Sequence, residues 1–147
     1  MKNWTIAAAI AVLAAPAFAD GHAASGNGDA AAGEEAFNRQ CVSCHVVADA
    51  DGNVLAGRAS KTGPNLYGLA GRQIGSVEGF RYGDAIVAVG ADGKVWTEAE
   101  FIPYVMDPRG YLQEQLDDGS ARSKMSFRVR DEQDAVDIYA FLATFGE

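Results

Sequence analysis

Cys41-Val42-Ser43-Cys44-His45 is the stretch on which the reading of this chain turns. Cysteines at this spacing fall on one face of a helical turn. A histidine directly after the second can reach the centre of a flat ring held by both thiols. This is the c-type haem attachment pattern, in which each thiol adds to a haem vinyl group and His45 binds the iron axially. The chain has 2 cysteines in all, so no other thiol competes for either position. Three other readings of the pair lack context. A thioredoxin-like redox pair wants a βαβ setting, and no Val/Ile-rich parallel strands flank it. Half of a zinc site needs a second Cys or His pair, and His22, the only other histidine, lies in a Gly/Ser/Asp-rich stretch that reads as disordered. A disulfide closing so short a loop would stabilise little.

The first residues agree with this chemistry. Met1-Lys2-Asn3 is a short positive start, Trp4 to Ala15 is a nearly continuous apolar run, and Pro16-Ala17-Phe18-Ala19 ends in an A-x-A-like cleavage site. Residues 1–19 therefore read as a secretory signal peptide cut after Ala19. The apolar run is shorter than the roughly 20 residues a spanning helix needs, so an uncleaved anchor is disfavoured. The mature chain is expected to be exported and not membrane-embedded; in a bacterium that means the periplasm, where thioether attachment takes place. A flexible leader, 20–28, precedes a single domain, 29–147. The whole chain of 147 residues carries 20 acidic and 12 basic side chains, a formal charge of −8, which argues against a nucleic-acid partner.

Along the mature chain, Asp29 can cap a helix running through Phe37 to Cys41, with Glu34 and Glu35 near its positive end. Gly33 inside that helix costs about 1 kcal/mol relative to alanine, which points to close approach of another helix. Val46 to Ser60 reads as an exposed loop. The run Lys61-Thr62-Gly63-Pro64-Asn65-Leu66-Tyr67-Gly68 is turn-dense, and a carbonyl there can hold the second ring nitrogen of an iron-bound imidazole. A short helix is expected over Asp84 to Val89, stopped by Gly90. Thr97-Glu98-Ala99-Glu100 is a capping box ahead of a helix that ends at Asp107-Pro108. Pro103 within it costs on the order of 3 kcal/mol and predicts a kink or a later start. Ala135, Ile138, Phe141, Leu142 and Phe145 form an apolar stripe behind Asp131, Glu132 and Asp134, which suit a helix N-terminus. This stripe is read as core, facing Gly33 and Phe37.

The sixth iron position could be filled from His22, Met106, Met125 or a lysine, or stay open. His22 sits in the leader, and Met106 serves equally well as a core residue of its helix. Met125 lies in Arg122-Ser123-Lys124-Met125-Ser126-Phe127-Arg128, an irregular basic loop. Its polar neighbours leave little packing reason for a methionine, whereas an axial thioether accounts for it. A thioether favours ferrous iron, and burial disfavours the extra ferric charge, so both raise the potential.

With these residues in view, the chain resembles a class I cytochrome c, most closely the bacterial cytochrome c2 group and its respiratory equivalents. The resemblance spans about Asp29 to Phe145. It rests on Phe37, Cys41 to His45, Lys61 to Gly68, Gly71-Arg72, Phe80-Arg81-Tyr82, Trp96, Tyr104, Asp107-Pro108 and Lys124-Met125-Ser126-Phe127. It implies an all-α fold, helices and loops wrapped around one covalently attached haem c, with the N- and C-terminal helices crossing. It further implies that the Pro64 carbonyl accepts a hydrogen bond from His45 and that Arg72, Tyr82 and Trp96 hold the propionates. Tyr104 matches a position whose hydroxyl approaches the methionine sulfur, and Met125 matches the axial ligand. Pro103 departs from the family pattern, which has a non-proline residue there.

The function so implied is one-electron transport by a monomer, from a membrane cytochrome bc complex to a photosynthetic reaction centre or a cytochrome oxidase. No substrate turnover is expected. Charge along the chain is uneven, and Lys61, Arg122, Lys124 and Arg128 are expected to gather on one basic face that steers the haem edge to acidic docking sites. Two rivals remain: a haem enzyme or gas sensor with an open iron, and a dedicated redox subunit of one dehydrogenase.

Overall fold

Asp29 sets the first element. Its carboxylate accepts from the amides of Ala31 and Ala32 at 2.8 and 3.2 Å, serving donors that a helix start leaves unpaired. The helix it caps, α1 (Ala30–Gln40), has no acidic residue in its first turn; Glu34 and Glu35 fall a turn later than the sequence reading placed them. The computed structural model describes residues 28–146, so the expected signal peptide, residues 20–27 of the leader and His22 lie outside the described residues. Gly28, assigned to the leader, already packs on the last helix: a Cβ there would come 2.6 Å from the Val136 carbonyl oxygen.

Residues 46–60 differ from the exposed loop expected of them. They form an antiparallel pair, β1 (Val46–Ala48) and β2 (Val54–Gly57), with Val46 opposite Gly57 and Val47 opposite Ala56. Asp49 closes the turn, accepting from the Asp51 and Asn53 amides at 3.0 and 2.9 Å. Val47, fully buried, anchors the pair, whereas Val54 and Leu55 are about half-exposed. Strands of 3 and 4 residues, Val-Val-Ala and Val-Leu-Ala-Gly, show no alternation of polar and apolar side chains, so period cannot mark them in the sequence.

Beyond a long irregular segment come α2 (Asp84–Gly90), α3 (Glu98–Met106), α4 (Pro108–Leu116) and α5 (Glu132–Leu142). Gly90 does not stop α2 but is its last residue, pressed against the Ile74 carbonyl where a side chain would not fit. Thr97 caps α3, its hydroxyl accepting from the Glu100 amide at 3.3 Å, and the helix begins at once at Glu98 rather than later. Pro103 is tolerated inside it on the exposed side, where water can serve the Ala99 carbonyl that proline leaves without a donor. The helix α4 was not anticipated. Its signal was present all the same: Asp107 accepts from the Gly110 amide at 3.1 Å, with Pro108 at the first helical position.

The N- and C-terminal helices cross at Gly33. A Cβ on Gly33 would overlap the Asp137 carbonyl and come 2.8 Å from the Phe141 Cβ, so only glycine allows the approach. Phe37 and Phe141 meet beside it with ring centroids 5.5 Å apart. The apolar stripe of α5 is core, with Ala135, Ile138 and Leu142 at most 1 % exposed. Phe145 lies beyond the helix end, its ring edge-on to Phe141 at 5.0 Å.

Candidate haem site

The attachment motif continues α1 as one more helical turn. The amides of Cys44 and His45 both donate to the Cys41 carbonyl, at 3.1 and 2.9 Å, which places both thiols on one side. They are free and half-buried, and with His45 they line a cavity of about 580 Å³. Burial, and then repulsion from Cys44, pushes the Cys41 thiol up to about 12, so it stays protonated at neutral pH.

The turn-dense run folds against the motif. The Gly63 amide donates to the Cys44 carbonyl at 2.7 Å and the Leu66 amide to the Val46 carbonyl at 2.9 Å. Gly63 lies flat on the imidazole: a Cβ there would stand 2.5 Å from Nδ1 and 2.8 Å from Nε2 of His45. His45 Nδ1 is 3.0 Å from the Pro64 carbonyl oxygen. A carbonyl only accepts, so the proton sits on Nδ1 and the Nε2 lone pair is left for a metal. Burial lowers the imidazole pKa, with the Pro64 bond pulling the other way, and this favours the neutral, ligating form.

The remaining residues singled out from the sequence converge on the same cavity. Arg72, Tyr82, Trp96, Tyr104 and Met125 all line it, although they come from separate segments. Arg72 donates to the Tyr67 carbonyl at 2.6 Å and to the Asn65 carbonyl at 3.1 Å, so its guanidinium braces the turn that holds Pro64. Desolvation lowers its pKa. Trp96 is fixed by backbone bonds to the Arg72 region: its amide donates to the Arg72 carbonyl at 2.9 Å, and its carbonyl accepts from Gly71 at 2.8 Å. Burial raises the Tyr104 hydroxyl, and a hydrogen bond with the Ser123 side chain opposes this. Met125 is half-buried against the core, while Lys124, Ser126 and Phe127 around it are exposed.

Sequence reasoning missed the apolar walls. Leu66, Leu69, Ile86, Val105 and Leu112 line the cavity alongside Ile138 and Leu142 of the α5 stripe. Helical periodicity marks such residues as inward-facing, but it cannot tell a cavity lining from solid core. The donor set and the cavity fit a covalently held haem: two free thiols on one turn, a neutral imidazole aimed from beside them, and largely apolar walls.

No protein-family model matches the chain. Individual relatives do. Cytochrome c2 of Rhodovulum adriaticum is 58% identical over 120 residues, which cover 82% of this chain and 94% of the relative. Cytochrome c2 of Rhodobacter capsulatus is 44% identical over 146 residues, 98% of each chain. The chain belongs to the cytochrome c2 family. Its fold agrees: the crystal structure of cytochrome c2 from Rhodobacter sphaeroides superposes with a TM-score of 0.77 at 44% identity, covering 80% of this chain and 96% of that one. As a cytochrome c2 relative the chain is an electron carrier rather than an enzyme. Its cofactor is one covalent haem c, for which Cys41 and Cys44 are the paired thiols. The fold is that of a class I cytochrome c, with the small β1–β2 pair added to its helices.

Proposed function

We propose that the chain is a periplasmic one-electron carrier, exported with cleavage after Ala19, whose haem iron is held by His45 and Met125. When bound, the haem supplies the one-electron couple. The observation that carries the reading is that His45 and Met125, far apart in sequence, line one cavity and are both half-buried. His45 is pre-oriented by Pro64 and Gly63. Met125 is brought in by a loop tied down on both sides of it. Lys124 Nζ donates to the Arg81 carbonyl at 2.9 Å, and the Val129 amide donates to the Val105 carbonyl at 2.9 Å. Two protein ligands held in both oxidation states leave little to rearrange when an electron moves, and leave no open position for a substrate.

The proposed donor is a membrane cytochrome bc complex, and the acceptor a photosynthetic reaction centre or a cytochrome oxidase. Lys61, Arg122 and Lys124 are exposed on the cavity rim, and Arg128 follows on the same loop. This basic rim on an acidic chain supports steering toward acidic docking sites. Among the described residues no helix is long and apolar enough to cross a membrane.

The test is a visible spectrum of the holoprotein, oxidised and then reduced under carbon monoxide. A weak long-wavelength ferric band, with no shift on adding carbon monoxide, is expected of the closed His45/Met125 site. A ready shift would show an open iron, and would replace the carrier ligation with that of an enzyme or gas sensor.

A further inference from the structure

A closed polar clasp lies just behind the cavity wall. Tyr111 and Gln115 stand one turn apart on α4 and so share a face. The Tyr111 hydroxyl donates to Glu100 Oε2 on α3, and Lys94 Nζ donates to Gln115 Oε1. Glu100 Oε1 is 3.2 Å from Lys94 Nζ, which closes the ring of four side chains. Tyr111 is 4 % exposed, whereas Lys94 and Glu100 reach water. Burial, and then the bond to Glu100, push the Tyr111 hydroxyl far up, so it stays a donor through neutral and mildly alkaline pH.

The clasp fixes the Tyr111 ring, and that ring braces Tyr104. Tyr104 lines the cavity and Tyr111 does not. Two rings touch Tyr104: Trp96, with centroids 5.1 Å apart, and Tyr111, edge-on at 5.5 Å. At its far end the Tyr104 hydroxyl is hydrogen-bonded with the Ser123 side chain. Ser123 Oγ also accepts from the Met125 amide at 3.1 Å. A hydroxyl has one proton to give and lone pairs to accept with, so Ser123 can serve both neighbours at once. Met125 itself sits on a loop without regular structure, where few contacts fix its course.

We infer that Tyr111 is a positioning residue for Met125, acting through Tyr104 and Ser123, with Glu100 and Lys94 as its anchor. The inference rests on the proposed ligation by Met125. A tilt of the Tyr104 ring displaces its hydroxyl most, because the hydroxyl lies at the end of the lever. The anchored Tyr111 edge opposes that tilt, so Ser123 and the Met125 amide keep their places. The loop is then less free to swing away and admit another ligand to the iron. An electron carrier gains from this, since ligands that stay in place leave little to rearrange when the electron moves.

The test titrates the ferric holoprotein with imidazole, which competes with Met125, and follows loss of the long-wavelength band. Tyr111→Phe keeps the ring but frees it from Glu100, and should raise imidazole affinity several-fold. Glu100→Gln keeps an acceptor oxygen and loses the ion pair with Lys94, so it should raise the affinity less. Ser123→Ala should raise it as well, and adding Tyr111→Phe to Ser123→Ala should then change nothing further, because the route is already cut. Parent affinity in a folded Tyr111→Phe would overturn the inference. So would equal effects of Tyr111→Phe with and without Ser123, which general loosening of the fold would produce. Should Tyr111→Phe not fold, parent affinity in Glu100→Gln overturns it instead. The ligation reading fails separately. A parent protein that takes up carbon monoxide removes both readings, whereas a parent closed to carbon monoxide with unmoved imidazole affinities removes only the role of Tyr111.

Discussion

The crossing of α1 and α5 and the loop around Met125 are held by different means. At the crossing, backbone meets backbone: Gly33 lies on the Asp137 carbonyl, and Phe37 packs on Phe141. Polar groups there are paired across the interface. The buried Asp137 carboxylate accepts from the Asp29 amide at 2.8 Å, and Asp134 accepts from Gln40 Nε2 at 2.6 Å. The Met125 loop has no regular structure, and Arg122, Lys124, Ser126, Phe127 and Arg128 on it are exposed. A few long-range bonds tie it down: Lys124 to Arg81, Arg128 to Asp107 at 2.7 Å, and Val129 to Val105. Rigid packing thus carries the fold at the crossing, whereas a lightly held loop presents a proposed ligand. Local stability should differ accordingly.

The largest effect is expected at the crossing. Gly33→Ala places a methyl group on backbone that cannot yield without parting the helices, and should cost about 3 kcal/mol or more. Denaturant unfolding of the ferric holoprotein measures this, and a loss within experimental error would show that the crossing can slide. Met125→Ala should cost less in fold stability but change the site most. It should abolish the long-wavelength ferric band and let the ferrous protein take up carbon monoxide. If carbon monoxide is still excluded, Met125 is not the ligand. The smallest structural effects belong to the rim charges. Lys124→Gln should stay within about 0.5 kcal/mol in stability, yet slow electron transfer to an acidic partner most at low salt. Arg128→Gln should slow it less, because Asp107 already offsets that charge in an exposed pair. Equal slowing by the two at every ionic strength would remove the steering role.

The same contrast explains what could be read ahead of the structure. The caps at Asp29 and Thr97 were legible because a side chain and the amides it serves lie within one turn. The α5 stripe was legible because burial imposes a period on it. The β1–β2 pair was not, since strand pairing joins residues across a turn and only Val47 on it is fully buried. Pro103 misled, because the cost of proline depends on whether the freed carbonyl reaches water, and that is a matter of tertiary exposure. Glu100 was read only as part of a capping box, and nothing near it in sequence announces Tyr111, which reaches it from the following helix.

The sequence by itself determined the attachment chemistry, because Cys41, Cys44 and His45 act within a single turn and their spacing alone fixes what they can hold. It also determined the start of α1 at Asp29 and the inward face of α5. Only the tertiary structure decided that Pro64 meets His45, that Arg72 spends its donors on the Asn65 and Tyr67 carbonyls, and that Arg128 is offset by Asp107 while Lys124 is not. These pairings join residues far apart in the chain. Their distances are set by how the helices and loops pack together, and the local forces that shape each element do not reach that far.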